Sequence, residues 1–372
     1  MGMINTEVCV IGAGPAGLAA SIEARKCGAQ VVVVDENHLA GGQLFKQIHK
    51  FFGSSAHHAG VRGIDIGRNM LKEAQDIGVE FYLRTVAYGI FEDNVIGINN
   101  LDTELNGMIN AKKIILATGA IENSLTFPGW TLPGVMGAGA AQTLMHIHRI
   151  KPGNKVLMVG SGNVGLIVSY QLLQAGVNVV GLVEAADKIS GYLVHARKIQ
   201  RAGVPIYLST TVKEVTGGKN VENATIISLD KDFCQIQGTE ETFDVDTVCI
   251  ATGLAPLAEL AWLAGCEFRF VKDLAGFTPL HNDDMRTTID GIYVAGDIAG
   301  IEEASIAMEE GRVAGVAAAE AMGLISKKEA EKRKNDYRQR IDELRDGPFG
   351  SKRRQAKEIL IKEGCLRCQE TL

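Results

Sequence analysis

Gly12, Gly14 and Gly17 stand at the spacing G-x-G-x-x-G, and Gly160, Gly162 and Gly165 repeat that spacing later in the chain. In such a run the first glycine allows a tight turn and the second lets a pyrophosphate approach the backbone. The third lets the next helix pack close to the strand. The chemistry on offer is therefore phosphate binding, twice. Each turn is followed by an acid suited to accept hydrogen bonds from ribose hydroxyls: Asp35 lies 23 residues after Gly12, and Glu184 lies 24 residues after Gly160.

Positioning these residues needs strand, turn, helix and strand in that order. "EVCVI" at 7–11 and "KVLMV" at 155–159 read as buried parallel strands. "AGLAASIEARKCG" is the first helix, with Leu18 and Ile22 on one face and a stop at Gly28. "LIVSYQLLQAG" is its counterpart, ending at Gly176. "VVVV" at 31–34 and "VNVVGLVE" are the second strands. Each copy closes alike, because "KKIILATGA" at 112–120 and "DTVCIATGL" at 246–254 are apolar strands ending in Ala-Thr-Gly. A late strand, "DGIYVAGD", ends in Gly296-Asp297 and is followed by a helix. Too little chain remains for a new domain, so it is expected to return to the first, with Asp297 at the phosphate edge of the sheet.

The chain has 372 residues, 46% apolar and 22% charged, with a net charge of −6. That balance indicates no nucleic-acid surface on the body. No apolar run of about 18 residues is present, so no membrane insertion is expected. The chain does not begin like a signal peptide, and its seven cysteines are scattered. The expectation is a cytoplasmic protein with reduced thiols. His49, His57, His58, His146 and His148 lack the spacing and flanking acids of a metal site. His49 or Lys46 could donate a proton beside a bound cofactor. No catalytic residue is assigned.

The two fingerprints, the "GGQ" at 41–43, both Ala-Thr-Gly strands and the Gly296-Asp297 strand together resemble the two-dinucleotide-binding flavoproteins over about residues 4–322. The resemblance implies an α/β fold: an FAD-binding Rossmann-like domain, an inserted NAD-binding Rossmann-like domain and a helical C-terminal tail. The expected bounds are 1–120 and 281–325 for the FAD domain, 121–280 for the inserted domain with its linker, and 326–372 for the tail. It implies FAD contacts at Gly12, Gly14, Pro15, Ala16, Gly17, Asp35, Glu36, Gly42, Gln43, Val86, Ala117, Thr118, Gly119, Gly296 and Asp297. It implies NAD contacts at Gly160, Gly162, Asn163, Gly165, Glu184 and Gly253, with ATP as the alternative occupant. Two turns then mean two nucleotides, a flavin and a nicotinamide, between which a hydride can cross.

Branches of that family that reduce disulfides carry a redox cysteine pair. It lies either after the "GG" turn or just before the second fingerprint. Neither "GGQLFKQIHKFFGSS" nor "GAGAAQTLMHIHRIKPGNK" contains cysteine, and dithiol chemistry needs a thiolate. "LTFPGWTLPGVMGAGAAQTLMH" at 125–146 and "HNDDMRTTIDGIYVAGD" at 281–297 instead resemble the flavoprotein subunits of heteromeric amine-oxidising dehydrogenases. These are the alpha subunits of heterotetrameric sarcosine oxidase and dye-linked L-proline dehydrogenase, with opine oxidase and hydrogen cyanide synthase subunits. The implied function is an FAD-dependent oxidoreductase, the nucleotide-binding and electron-transfer subunit of an amino- or imino-acid dehydrogenase complex. The alternatives are a stand-alone NADH:acceptor reductase and a non-catalytic nucleotide-binding assembly subunit.

From Ser326 onward the chain is charged and helix-like, broken at Gly347-Pro348, with a net charge of +5. It reads as a solvated helix pair packed on the body or as a docking arm for a partner subunit. Cys365 and Cys368 form "CLRC", half of a four-ligand zinc or iron–sulfur site. They are read as free thiols, a redox dithiol, or a ligand pair completed by a partner.

Overall fold

The computed structural model describes residues 2–347 and 350–370. The chain forms two compact units, one of residues up to Ile121 together with those from Ala255 onward, the other Glu122–Leu254. The inserted unit therefore ends 26 residues earlier than the expected 280. The reason lies in the stretch after the second Ala-Thr-Gly, which folds on the first unit. The Leu257 amide donates to the Gly119 carbonyl (3.0 Å), and Ala258 and Ala261 join that unit's core.

The first unit is built on a seven-stranded sheet. Glu80–Tyr82, Val31–Val34, Met3–Ile11 and Asn106–Leu116 run parallel, and Ile292–Val294 adds in parallel against Asn106–Leu116. The late strand thus does return to the first unit, with Ile292 opposite Ile114. Val95–Asn100 and Thr85–Phe91 complete the sheet as an antiparallel meander. The strand Asn106–Leu116 alternates exposed and buried residues up to Lys112, then buries Ile114, Ile115 and Leu116 in succession. Alternation marks the half with one wet face, and the continuous run marks the half covered on both faces. Sequence reading found only the second half.

The inserted unit carries a five-stranded parallel sheet in the order Ile206–Tyr207, Asn178–Val183, Lys155–Val159, Thr247–Ile250, Val135–Gly137. Val156 and Met158 point into one core with Leu166, Leu172 and Ile199. Leu157 and Val159 point into the other, with Val212 and Ile226 of a separate three-stranded antiparallel sheet. In both units the fingerprint strand lies between its second strand and its Ala-Thr-Gly strand.

The tail forms two helices, Lys327–Arg345 and Ser351–Glu370. Ser326 caps the first through its hydroxyl, accepting the Glu329 amide at 3.3 Å. The pair packs on the first unit and buries cations, which a wholly solvated pair would not. Lys334 and Lys357 are each 1% exposed and Arg345 is 7% exposed. Lys334 donates to Asp284 (2.9 Å), Glu320 (2.6 Å) and Glu331 (2.6 Å), a carboxylate cluster that its ammonium fills.

Candidate functional site

Gly12 closes the first fingerprint strand at φ 101°, where a side chain would be strained and a Cβ would overlap the Ala117 carbonyl. Its amide donates to Val34 (2.8 Å), while Ala117 donates to Ile11 (2.8 Å). A Cβ on Gly17 would overlap the Gly12 carbonyl oxygen, so the helix Pro15–Lys26 can lie against the turn only with glycine there. Pro15 occupies the first helical turn, where its missing N–H costs nothing. Gly14 is the N-cap, with no side-chain cap, and nothing lies within 4 Å of where its Cβ would be. That is an open seat facing unpaired helix amides, a favourable place for phosphate. Gly41 donates to the Ala13 carbonyl (2.7 Å), and Gly42 packs on the Gly14 backbone.

The second turn repeats these bonds. Gly160 donates to Val183 (2.8 Å), Ala251 donates to Val159 (2.7 Å), and a Cβ on Gly165 would overlap the Gly160 carbonyl. Gly162 is the uncapped N-cap of Asn163–Gln174, again with nothing within 4 Å of its Cβ position. Gly191 donates to the Ser161 carbonyl (2.9 Å) and packs on Gly162 and Asn163, as Gly41 and Gly42 do in the first unit. The Asn163 side chain accepts the Tyr192 amide at 2.8 Å. Sequence reading missed Gly191, although it lies seven residues after Glu184 much as Gly41 lies six after Asp35.

The two acids bond first to their own turns. Asp35 Oδ2 accepts the Ala13 amide (2.6 Å), and Oδ1 accepts the Asn37 amide (2.8 Å) and side chain (2.9 Å). Glu184 Oε2 accepts the Ser161 amide (2.9 Å) and hydroxyl (2.5 Å), and Oε1 accepts the Ala186 amide (3.0 Å). Burial works to raise the Glu184 carboxyl. The Ser161 hydroxyl and the Ala186 and Ser161 amides outweigh it and hold the group below the usual carboxylate range.

The remaining expected residues of the first unit gather at the same sheet edge. A Cβ on Gly296 would lie 2.8 Å from Ala16 Cβ, which puts the Gly296-Asp297 turn beside the fingerprint helix. Gly311 and Gly315 let the helix Ala304–Ala321 close on the backbone of Ala16 and Ala20. Burial pushes the Asp297 carboxyl up to about 6, against the lowering effect of the Glu302 amide. The Thr118 hydroxyl donates to the Leu257 carbonyl at 2.5 Å. Val86 follows Thr85, whose amide donates to the Asp35 carbonyl at 2.9 Å. Glu36 and Gln43 are exposed on the connecting segment. In the second unit the Thr252 hydroxyl donates to the Asn123 carbonyl (3.2 Å), and the Asn123 amide donates to Gly253 (3.0 Å).

Cys9 and Cys249 lie within sheet strands, and burial pushes both thiols up to about 12, so they pack rather than react. His57 is buried with Nδ1 hydrogen-bonded to Ser54 Oγ at 3.0 Å. His146 lies in the π-helical turn Leu144–His148, its pKa lowered by burial. Cys368 is buried with its thiol on the carbonyls of Thr287 (3.2 Å) and Arg286 (3.5 Å). Cys365 is half-buried and lines an open pocket of about 400 Å³ with Asp283 and Leu366. Burial raises both thiols. Among the described residues no histidine, cysteine or carboxylate joins them in a metal-ligating group.

Two Rossmann-like units, each with an open phosphate seat of the same construction, define a two-dinucleotide α/β oxidoreductase fold. The model of the pyridine nucleotide-disulphide oxidoreductase family matches residues 6–311, and the chain belongs to that family. The family implies binding of FAD and NAD(P). The chain is similar to an opine oxidase subunit of Agrobacterium tumefaciens (strain Ach5), 30% identical over 86% of this chain and 66% of that protein. It is also similar to the alpha subunit of sarcosine oxidase of Rhizobium meliloti (strain 1021), 29% identical over 86% of this chain and 31% of that one. The chain thus spans under two thirds of the length of either. L-proline dehydrogenase from P. horikoshii shares the fold, with a TM-score of 0.70 at 23% identity over 92% of this chain and 59% of that one. Thioredoxin reductase of T. acidophilum shares it with a TM-score of 0.69 at 20% identity, over 86% and 99%. No helix among the described residues is long and apolar enough to cross a membrane.

Proposed function

We propose that the chain is an FAD-dependent oxidoreductase serving as the nucleotide-binding, electron-transfer subunit of a complex that oxidises an amino or imino acid. The observation that carries this reading is the pair of like-built phosphate seats, at Gly14 and Gly162, in a chain similar to named subunits of opine and sarcosine oxidases. FAD takes the first seat and NAD the second. The seats fit a pyrophosphate because the space above each N-cap glycine is open and no side chain caps either helix.

In this reading the amides at the start of Pro15–Lys26 take the FAD pyrophosphate, and Asp35 and Asp297 meet its ribose and ribityl hydroxyls. Gly42, Gln43, Val86, Ala117, Thr118 and Gly119 line the same seat with Glu36 at its rim. Gly160, Gly162, Asn163, Gly165, Glu184 and Gly253 do the same for NAD. Bound FAD supplies reversible uptake of two electrons. The protein's part is to orient the nucleotides and exclude competing reactions. The buried thiols of Cys9 and Cys249 favour an acceptor other than a disulfide in this chain. Cys365 and Cys368 are free thiols on the last helix, and no step of this reading passes through them.

Anaerobic titration of FAD-loaded protein with NADH, followed by absorbance, tests the reading. Reduction of the flavin, with a partner copurifying at fixed stoichiometry, is the expected result. Fast reduction with no partner would favour a stand-alone reductase. A bound adenine nucleotide without reduction would favour an assembly role.

A further inference from the structure

We infer that Lys357, on the last helix, is a positioning residue for FAD that acts through Glu310 on the Gly296-Asp297 turn; this rests on the FAD reading above. Glu310 lies on the helix Ala304–Ala321 and is 3% exposed. Its Oε2 accepts the Gly296 backbone amide at 3.1 Å. Its Oε1 accepts the Lys357 ammonium at 2.8 Å and the Arg345 guanidinium at 3.1 Å. Arg345 is otherwise committed to Glu302, through Nε at 3.0 Å and Nη2 at 2.5 Å. Two buried acids thus face two buried cations, and Lys357 is the counter-charge that Glu310 does not share with Glu302.

The consequence follows from the cost of an uncompensated buried charge. Without Lys357, Glu310 keeps only the guanidinium that Arg345 shares with Glu302, and its carboxylate is drawn toward that cation. The bond that holds the Gly296 amide then weakens. Gly296 is at φ 78°, packed against Ala16 of the fingerprint helix, so its amide plane has one supporting acceptor and little slack. Asp297 is the next residue, so a shift of the Gly296 turn carries its carboxylate with it. The tail is therefore part of the flavin seat and not an appendage to it. Lys334 provides the contrast. It is equally buried and equally paired on the same tail, but its partners are Asp284, Glu320 and Glu331.

The test measures FAD dissociation from the full chain by flavin fluorescence, together with thermal stability. The variants are Lys357→Met, Lys357→Arg and Lys334→Met. The expected result is that wild type binds FAD and Lys357→Met raises its dissociation constant roughly tenfold or more, the scale of a lost charge-assisted hydrogen bond. Lys357→Arg restores most of the affinity. Lys334→Met lowers stability while leaving FAD affinity within about twofold of wild type, since distant sites act independently. If Lys357→Met does not fold, the double variant Glu310→Ala with Lys357→Met removes the acceptor of the Gly296 amide together with its counter-charge, and it too weakens FAD binding. FAD affinity unchanged in Lys357→Met or in the double variant overturns the inference and leaves the FAD reading standing. Equal weakening by Lys334→Met also overturns it, because the tail would then act through stability alone. Wild type that binds no FAD removes both.

Discussion

The Glu184 carboxylate accepts both the backbone amide and the hydroxyl of Ser161, at 2.9 and 2.5 Å, so the acid that ends the second strand is locked to the second fingerprint turn. With these bonds and that of Ala186 its carboxyl stays ionised below the usual range. A fixed negative charge at the ribose end repels a 2′-phosphate, and "EAAD" at 184–187 offers no arginine to neutralise one. NADH should bind more tightly than NADPH by about 1–3 kcal/mol, roughly five- to two-hundredfold. Calorimetric titration of the protein with each nucleotide checks this. Equal affinities, or tighter NADPH, would sink the claim.

Gly14 and Gly162 should separate folding from binding. Both have extended backbones that any residue tolerates, at φ −72° and −63°, and open space at Cβ. Gly14→Ala and Gly162→Ala should therefore change stability by only about 0.5 kcal/mol. Gly14→Ala should weaken FAD and Gly162→Ala the pyridine nucleotide, since the new methyl stands where a pyrophosphate must approach. Melting curves and nucleotide titrations on the same preparations read both. A methyl at either position with undiminished nucleotide affinity would show that the seat lies elsewhere.

Asp297 should leave a pH signature on the apoprotein. Burial raises its carboxyl to about 6 in the folded state, against about 3.9 in an unfolded chain. The folded state then holds the proton more tightly. The stability this contributes is complete below about pH 4 and lost as pH rises through about 6. Wild type should lose about 1–3 kcal/mol relative to Asp297→Asn between pH 4 and pH 7. Denaturant melts across that window decide it, and parallel curves for the two proteins would refute it. Asp297→Ala should also fail to retain FAD.

Lys334 should be a stability residue. Removing its ammonium leaves Asp284, Glu320 and Glu331 facing one another, with oxygens all within 4.8 Å. Lys334→Met should cost about 2–4 kcal/mol. Lys352→Met, at an exposed position on the last helix, should stay within about 0.5 kcal/mol. Urea titrations give both numbers, and similar values for the two would count against a buried-cation role.

The sequence alone determined the two phosphate turns, because their requirements are local. Gly12 must turn where a side chain would be strained, and Gly17 must let a helix touch the turn before it; the same holds at Gly160 and Gly165. The valine run at 31–34 and the apolar run at 156–159 were legible as strands because burial on both faces leaves no place for polar residues. The late Gly296-Asp297 strand, expected in the first unit, pairs there with Asn106–Leu116. Tertiary structure decided what depends on partners distant in sequence. The strand Asn106–Leu116 gains its first half by pairing with Val95–Asn100, and nothing local marks where one wet face becomes two dry ones. The segment from Ala255 joins the first unit through Leu257 and Gly119, which are 138 residues apart. The tail reads as charged and solvated because charge is a property of single residues. Whether Lys334, Arg345 and Lys357 meet water or carboxylates depends on Glu320, Glu302 and Glu310, which only packing brings to them.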